Sequence, residues 1–72
     1  KITVLTIKIN DGAASVNIRQ KPTTNSAKIG KAKDGDTFEF VSLNLGWYEV
    51  KLAAGSTGFI SAAYIKEEEI NN

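Results

Sequence analysis

Apolar residues recur at every second position through most of this chain, and the places where the rhythm stops are as informative as the places where it holds. In the opening stretch KITVLTIKIN, Ile2 and Val4 alternate with other residues, and Ile7 and Ile9 do so again with the phase moved by one near Leu5. A period of two in β-branched residues is strand chemistry. Asn10-Asp11-Gly12 follows as a turn signal, since glycine accepts positive φ and short polar side chains bond to nearby backbone. Val16–Arg19 then sets Val16 and Ile18 against Asn17 and Arg19, which predicts a half-buried strand that ends before Pro22. Pro22 to Ala27 contains only Pro, Thr, Asn, Ser and Ala and reads as loop.

A third strand is expected to begin at Ile29, and Lys33-Asp34-Gly35-Asp36 reads as a tight hairpin turn of the Asp-Gly kind. Phe38 and Phe40 share one face of the next strand and Thr37 and Glu39 the other, after which the alternation blurs through VSLNLG, the mark of a bulge or bend. In WYEVKL, Tyr48, Val50 and Leu52 occupy one face, while Trp47 shares the opposite face with Glu49 and Lys51. The charged company decides the orientation: Tyr48 faces the core, and Trp47 points outward or sideways. AAGSTG is a second turn. Phe59–Ser61 is a last strand, followed by one helical turn that returns Tyr64 and Ile65 to the body. IKEEEI reads as a frayed helical end or the start of a linker. Five to six short antiparallel strands, separated by turns and followed by one short 3-10 turn near the C-terminus, predict an all-β barrel or sandwich.

Composition narrows what such a fold can do. With 72 residues there is one domain, near the lower edge of what buries a self-sufficient core, and little room for a deep catalytic cavity. The chain has no cysteine and no histidine, which removes thiol and imidazole as nucleophile, general base and metal ligand together. What remains does not assemble into a reaction. Asp34 and Asp36 lie in a turn and Glu67, Glu68 and Glu69 in a tail, so no carboxylate pair is expected across a cleft. Ser15, Ser26, Ser42, Ser56 and Ser61 have no imidazole to activate them. The NDG and DGD stretches lack the ligand count of a calcium loop. No catalytic residue, metal or cofactor is expected, and the chain is read as not an enzyme.

A net charge of +1 argues against a nucleic-acid partner, and no apolar run approaches the about 20 residues of a membrane span. The charge is unevenly spread: five cations (Arg19, Lys21, Lys28, Lys31, Lys33) and no carboxylate lie between Gly12 and Lys33. A chain with no methionine is expected to be a module of a longer protein.

Taken together, Val16-Asn17-Ile18-Arg19, Pro22, Ile29-Gly30, Asp34-Gly35, Gly46-Trp47 with Val50, Gly58-Phe59-Ile60 and Tyr64-Ile65 resemble the bacterial Src-homology-3 (SH3b) family. The resemblance implies a small, partly open SH3-like barrel over residues 1–66, with 1–14 as an N-terminal strand and lead-in, 15–66 as the core motif and 67–72 as linker or tail. It also implies a module of an exported bacterial protein, secreted or held at the cell surface, that targets its host to peptidoglycan or its stem peptide as a monomer. The alternative is a spacer or regulatory domain that packs against the host's adjacent catalytic domain. Phe59 stands where the family commonly has Trp, and Ser61 and Ala63 stand where eukaryotic relatives that bind polyproline carry Pro and Asn.

The candidate ligand-binding residues follow from both readings. Trp47, Phe59 and Tyr64 offer an aromatic shelf of large area and small entropic cost. Asn17 and Arg19 share one strand face, and Arg19 can present a donor fork to a carboxylate, clamp the carbonyls of the loop or pair with Glu49. Lys21, Thr24 and Asn25 are placed to contact a polar, peptide-like ligand from a loop on a rigid scaffold.

Overall fold

The alternation along the first strand decides where the core lies. In the computed structural model, which describes residues 2–70, β1 (Ile2–Ile7) buries Leu5 and Ile7 completely, with Ile9 packed against the same cluster. The expected change of phase near Leu5 is absent: Leu5, Ile7 and Ile9 keep one parity, and Ile2 and Val4 fall on the other face. Val4 is half-buried there, while Ile2 stays exposed. Ile2 lies opposite Ile70, and Val4 lies between Glu39 and Glu68.

The remaining strands are β2 (Val16–Arg19), β3 (Lys28–Ala32), β4 (Thr37–Asn44), β5 (Trp47–Lys51), β6 (Thr57–Ser61) and β7 (Ile65–Ile70), with single 3-10 turns at Ala53–Gly55 and Ala62–Tyr64. They form one antiparallel sheet in the order β3-β2-β6-β5-β4-β1-β7, open at β3 and β7. The sheet curls around one cluster made by Leu5 and Ile7 from β1, Val16 and Ile18 from β2, Ala32 from β3, Tyr48 and Val50 from β5 and Ile60 from β6. The fold is therefore the expected all-β, partly open barrel, built from seven strands rather than five or six.

The additional strand is β7. Its sequence, IKEEEI, has little strand propensity, and the segment read above as frayed helix or linker instead pairs with β1 over its whole length, Ile7 with Ile65 through Ile2 with Ile70. Tertiary pairing overrides propensity here. A run of charges on an edge strand also discourages further strand addition. Glu67 has a second role, because its Oε1 accepts a 2.9 Å hydrogen bond from the hydroxyl of Tyr48. The Tyr48 ring is buried and meets Phe40 edge-on, with centroids 6.1 Å apart. Burial first, and then Glu67, raise the Tyr48 phenol above its ordinary pKa.

Two bulges explain where the alternation fails. Between Phe40 and Ser42 the register on β5 advances by one residue while β4 advances by two, so Val41 is extra and exposed. The parity of β4 then inverts: Ser42 and Asn44 join Glu49 and Trp47 on the outer face. Likewise Ile18 pairs with Gly30 and Arg19 with Lys28, leaving Ile29 as the extra residue of β3, 45% exposed although it reads as a core position.

The Lys33–Asp36 turn is tight, with the Asp36 amide donating to the Lys33 carbonyl at 3.0 Å, but it closes no hairpin. β3 leaves it to pair with β2, and β4 leaves it to pair with β5 and β1. Its polar groups bind the end of β1 instead. Gly35 N–H donates to the Ile7 carbonyl and Ile7 N–H to the Asp36 carbonyl, both at 2.8 Å, and Asp34 Oδ1 accepts from Ile9 N–H at 2.8 Å. Buried Gly58 marks the tightest backbone approach, where a Cβ would lie 2.5 Å from Ile18 Cγ2.

Candidate functional site

Outer-face positions fall into two cross-strand rows. The first runs Lys28, Arg19, Phe59, Glu49 and Ser42 across β3, β2, β6, β5 and β4. The second lies two residues along β2, β6, β5 and β4 and three along β3, across its bulge: Lys31 stands opposite Asn17, Ser61 opposite Trp47 and Trp47 opposite Asn44. Neighbours in such a row stand about 5 Å apart, close enough for their side chains to form one surface.

A cleft of about 190 Å³ opens over the second row, lined by Val16, Asn17, Arg19, Thr24, Trp47, Ser61 and Tyr64. Trp47 is half-buried, as its alternation with Tyr48 and Val50 predicts, so its ring forms a wall of the cleft and not part of the core. Tyr64 reaches the cleft from the 3-10 turn after β6. The Ser61 side chain accepts from Ala63 N–H at the start of that turn, and the Tyr64 carbonyl accepts from Lys8 N–H at 2.8 Å. Tyr64 is held at its tip as well, where its hydroxyl donates to Asp11 Oδ2 at 3.0 Å.

Asp11 Oδ1 accepts from Ala13 N–H at 3.0 Å, and that bond, followed by the one from Tyr64, holds its carboxyl below the ordinary carboxylate range. Conversely, the hydrogen bond and charge of Asp11 raise the Tyr64 phenol. The two shifts describe one contact: a charged carboxylate and a protonated phenol stabilise each other.

The loop after β2 is internally ordered. Ser26 Oγ donates toward the carbonyls of Lys21 at 3.0 Å and Thr23 at 2.9 Å, and accepts from Lys21 N–H. Arg19 Nη1 donates to the Ser26 carbonyl at 3.0 Å, so the clamping role anticipated for Arg19 is present. One guanidinium nitrogen is engaged there, and the fork has five N–H donors in all. Thr24 is thereby held over the cleft as a polar lip.

Of the eight candidate residues, the cleft brings together Asn17, Arg19, Thr24, Trp47 and Tyr64. Lys21 and Asn25 are exposed in the loop and shape it through their backbone, Lys21 N–H to Ser26 Oγ and Asn25 N–H to Thr23 Oγ1. Phe59 lies in the first row between Arg19 and Glu49, half-buried and outside the cleft lining. Ser61 and Val16 line the cleft without having been selected from sequence. Ser61 was legible, being two residues from Phe59 on the same strand face. Asp11 was not, because 53 residues separate it from Tyr64. Among the described residues no group of three or more acidic side chains is placed to hold a metal ion.

The profile of the bacterial SH3 domain family matches residues 14–66, which contain every residue that lines the cleft. The chain is also similar to the cell wall-binding protein YwsB of Bacillus subtilis (strain 168), 39% identical over 54 residues. That stretch is 74% of this chain and 30% of the relative, so the chain spans about a third of the length of the curated protein it matches. A rolled antiparallel sheet carrying the Asn17-Arg19 strand, the Gly46-Trp47 turn and the Tyr64 turn at one cleft agrees with a family match over most of its length, and the chain belongs to the bacterial SH3 domain family.

Proposed function

We propose that this domain is a noncatalytic binding module that docks a larger exported bacterial protein onto the cell wall, with the peptide part of peptidoglycan as its ligand. The observation that carries the reading is the cleft itself, in which two aromatic rings, Trp47 and Tyr64, stand beside the hydrogen-bonding groups of Asn17, Arg19, Thr24 and Ser61. Rings supply contact area at low entropic cost, and the polar groups recognise amides and carboxylates. The name of the similar Bacillus protein, a cell wall-binding protein, supports attachment to the wall. A shallow site on so small a domain gives modest affinity, which many equivalent sites on a wall convert into stable attachment.

The test is co-sedimentation of the purified domain with peptidoglycan sacculi. Wild type is expected in the pellet, and the Trp47→Ala, Tyr64→Ala double variant in the supernatant with its fold retained by circular dichroism. Equal sedimentation of a folded double variant would contradict the reading.

A second reading is favoured by the β4–β5 hairpin tip, where Leu43 and Leu45 are 50% and 95% exposed: a spacer that packs against the host's neighbouring domain. Its signature is amide shifts at the tip on adding that domain, and none at the cleft on adding wall fragments.

A further inference from the structure

We infer that the cleft takes a zwitterionic peptide, with Asp11 supplying the negative end that receives an ammonium group and Arg19 the positive end that receives a carboxylate. The inference rests on the peptide-binding reading above and names the charge pattern of that ligand. Its starting point is the strand register. Arg19 belongs to the first cross-strand row, next to Phe59; Asn17, Ser61 and Trp47 form the row beyond it, and Tyr64 follows three residues after Ser61. The Tyr64 hydroxyl is bonded to Asp11. Arg19 and Tyr64 both line the cleft, Arg19 beside Phe59, two residues before Ser61 on β6, and Tyr64 three residues after it; Asp11 is held at the Tyr64 hydroxyl, next to the lining.

Asp11 is ready for that role. Both carboxylate oxygens are oriented, one by Ala13 N–H and one by the Tyr64 hydroxyl, while the residue stays exposed. A carboxylate oxygen accepts more than one hydrogen bond, so each keeps capacity for a ligand N–H. Arg19 mirrors it, anchored through Nη1 to the Ser26 carbonyl with further N–H groups in its fork. Asp11 lies before the family-matched residues 14–66, so the family pattern does not contain this half of the charge arrangement.

The simpler alternative is that Asp11 only steadies Tyr64. The two differ in what they predict for ligands that differ in charge alone. The experiment is a calorimetric or chemical-shift titration of wild type, Asp11→Asn and Tyr64→Phe with a purified muropeptide carrying a free side-chain amine, and with the same muropeptide after acetylation of that amine. Wild type is expected to bind the free amine about fivefold more tightly than the acetylated form, the upper end of what one exposed ion pair contributes. Asp11→Asn is expected to bind both forms equally. Tyr64→Phe, which retains the ring and the Asp11 charge, is expected to weaken both and keep the preference.

If wild type binds both forms equally, or Asp11→Asn keeps the preference, the inference is overturned while the peptide-binding reading stands. If wild type binds neither form, both are overturned.

Discussion

β1 and the outer face of β2, β6 and β5 make opposite use of the same alternation. β1 directs Leu5 and Ile7 into complete burial, while the outer face holds Asn17, Arg19, Trp47, Phe59 and Ser61 half-buried over a cleft or beside it. The family-matched segment contains that face and omits β1. The comparison separates two meanings of a domain. The recurring pattern marks the face that carries the cleft, whereas the hydrophobic core also includes Leu5 and Ile7 of β1, which pairs with both β4 and β7. The cleft needs Asp11 too, if it is to have a fixed Tyr64.

Each half of the comparison can be broken separately. The largest effect belongs to the core: Leu5→Ala removes a fully buried side chain and should cost about 2–5 kcal/mol, comparable with the whole stability of so small a domain. Denaturant unfolding measures it, and ligand affinity, corrected for the folded fraction, should stay unchanged. The converse is Trp47→Ala. It should lower muropeptide affinity about tenfold or more, as truncation of a central aromatic anchor does, while the denaturation midpoint moves little because the ring is half-buried.

A third variant probes the hairpin tip, which belongs to neither half. Leu45 has a φ of 51° and precedes Gly46 at 81° in a two-residue turn, a geometry that suits Asn and strains Leu. At 95% exposure Leu45 recovers nothing by burial. Leu45→Asn should therefore stabilise the domain by about 1 kcal/mol, read as a higher unfolding temperature, with cleft binding unaffected.

The smallest effect is the tether between Asp11 and Tyr64. Because the folded state lowers the Asp11 pKa, the tether's contribution is present above the ordinary carboxylate range and is lost as pH falls through the depressed value. Because it raises the Tyr64 pKa, the contribution is fully present below the ordinary phenol value and is lost as pH rises from there through the raised value. Tyr48 shares the alkaline limb, its phenol raised by burial and Glu67, so the acid limb is the diagnostic one. The difference in unfolding temperature between wild type and Asp11→Asn should be constant near neutrality and shrink toward acid.

How much of this was written in the sequence depends on the range over which each feature is determined. The β2 boundaries, the inward Tyr48 and Val50 and the outward Trp47 follow from local alternation, and the structure reproduces them. The bulge after Phe40 was visible as a blurred pattern, though not its consequence, the inversion that sets Asn44 beside Trp47. What escaped depends on distant partners. Lys33–Asp36 has the residues of a hairpin turn, but the strands on either side find other neighbours. Glu67–Glu69 do not favour a strand, yet β1 offers them a ladder. Within the cleft, five candidates converge because two rows and one loop are local features, whereas Lys21 and Asn25 remain on the loop's exposed side. Asp11 depends on a contact that no local pattern encodes.

The central claim is that the face of β2, β6 and β5 at Trp47 is the gripping surface. A titration of isotope-labelled domain with muropeptides, followed through backbone amides and the Trp47 indole, tests it most directly. The account predicts shifts confined to the indole and to the amides of Asn17, Thr24, Ser61 and Tyr64. Unperturbed signals at those positions, or shifts centred on β1 and β7 instead, would contradict it.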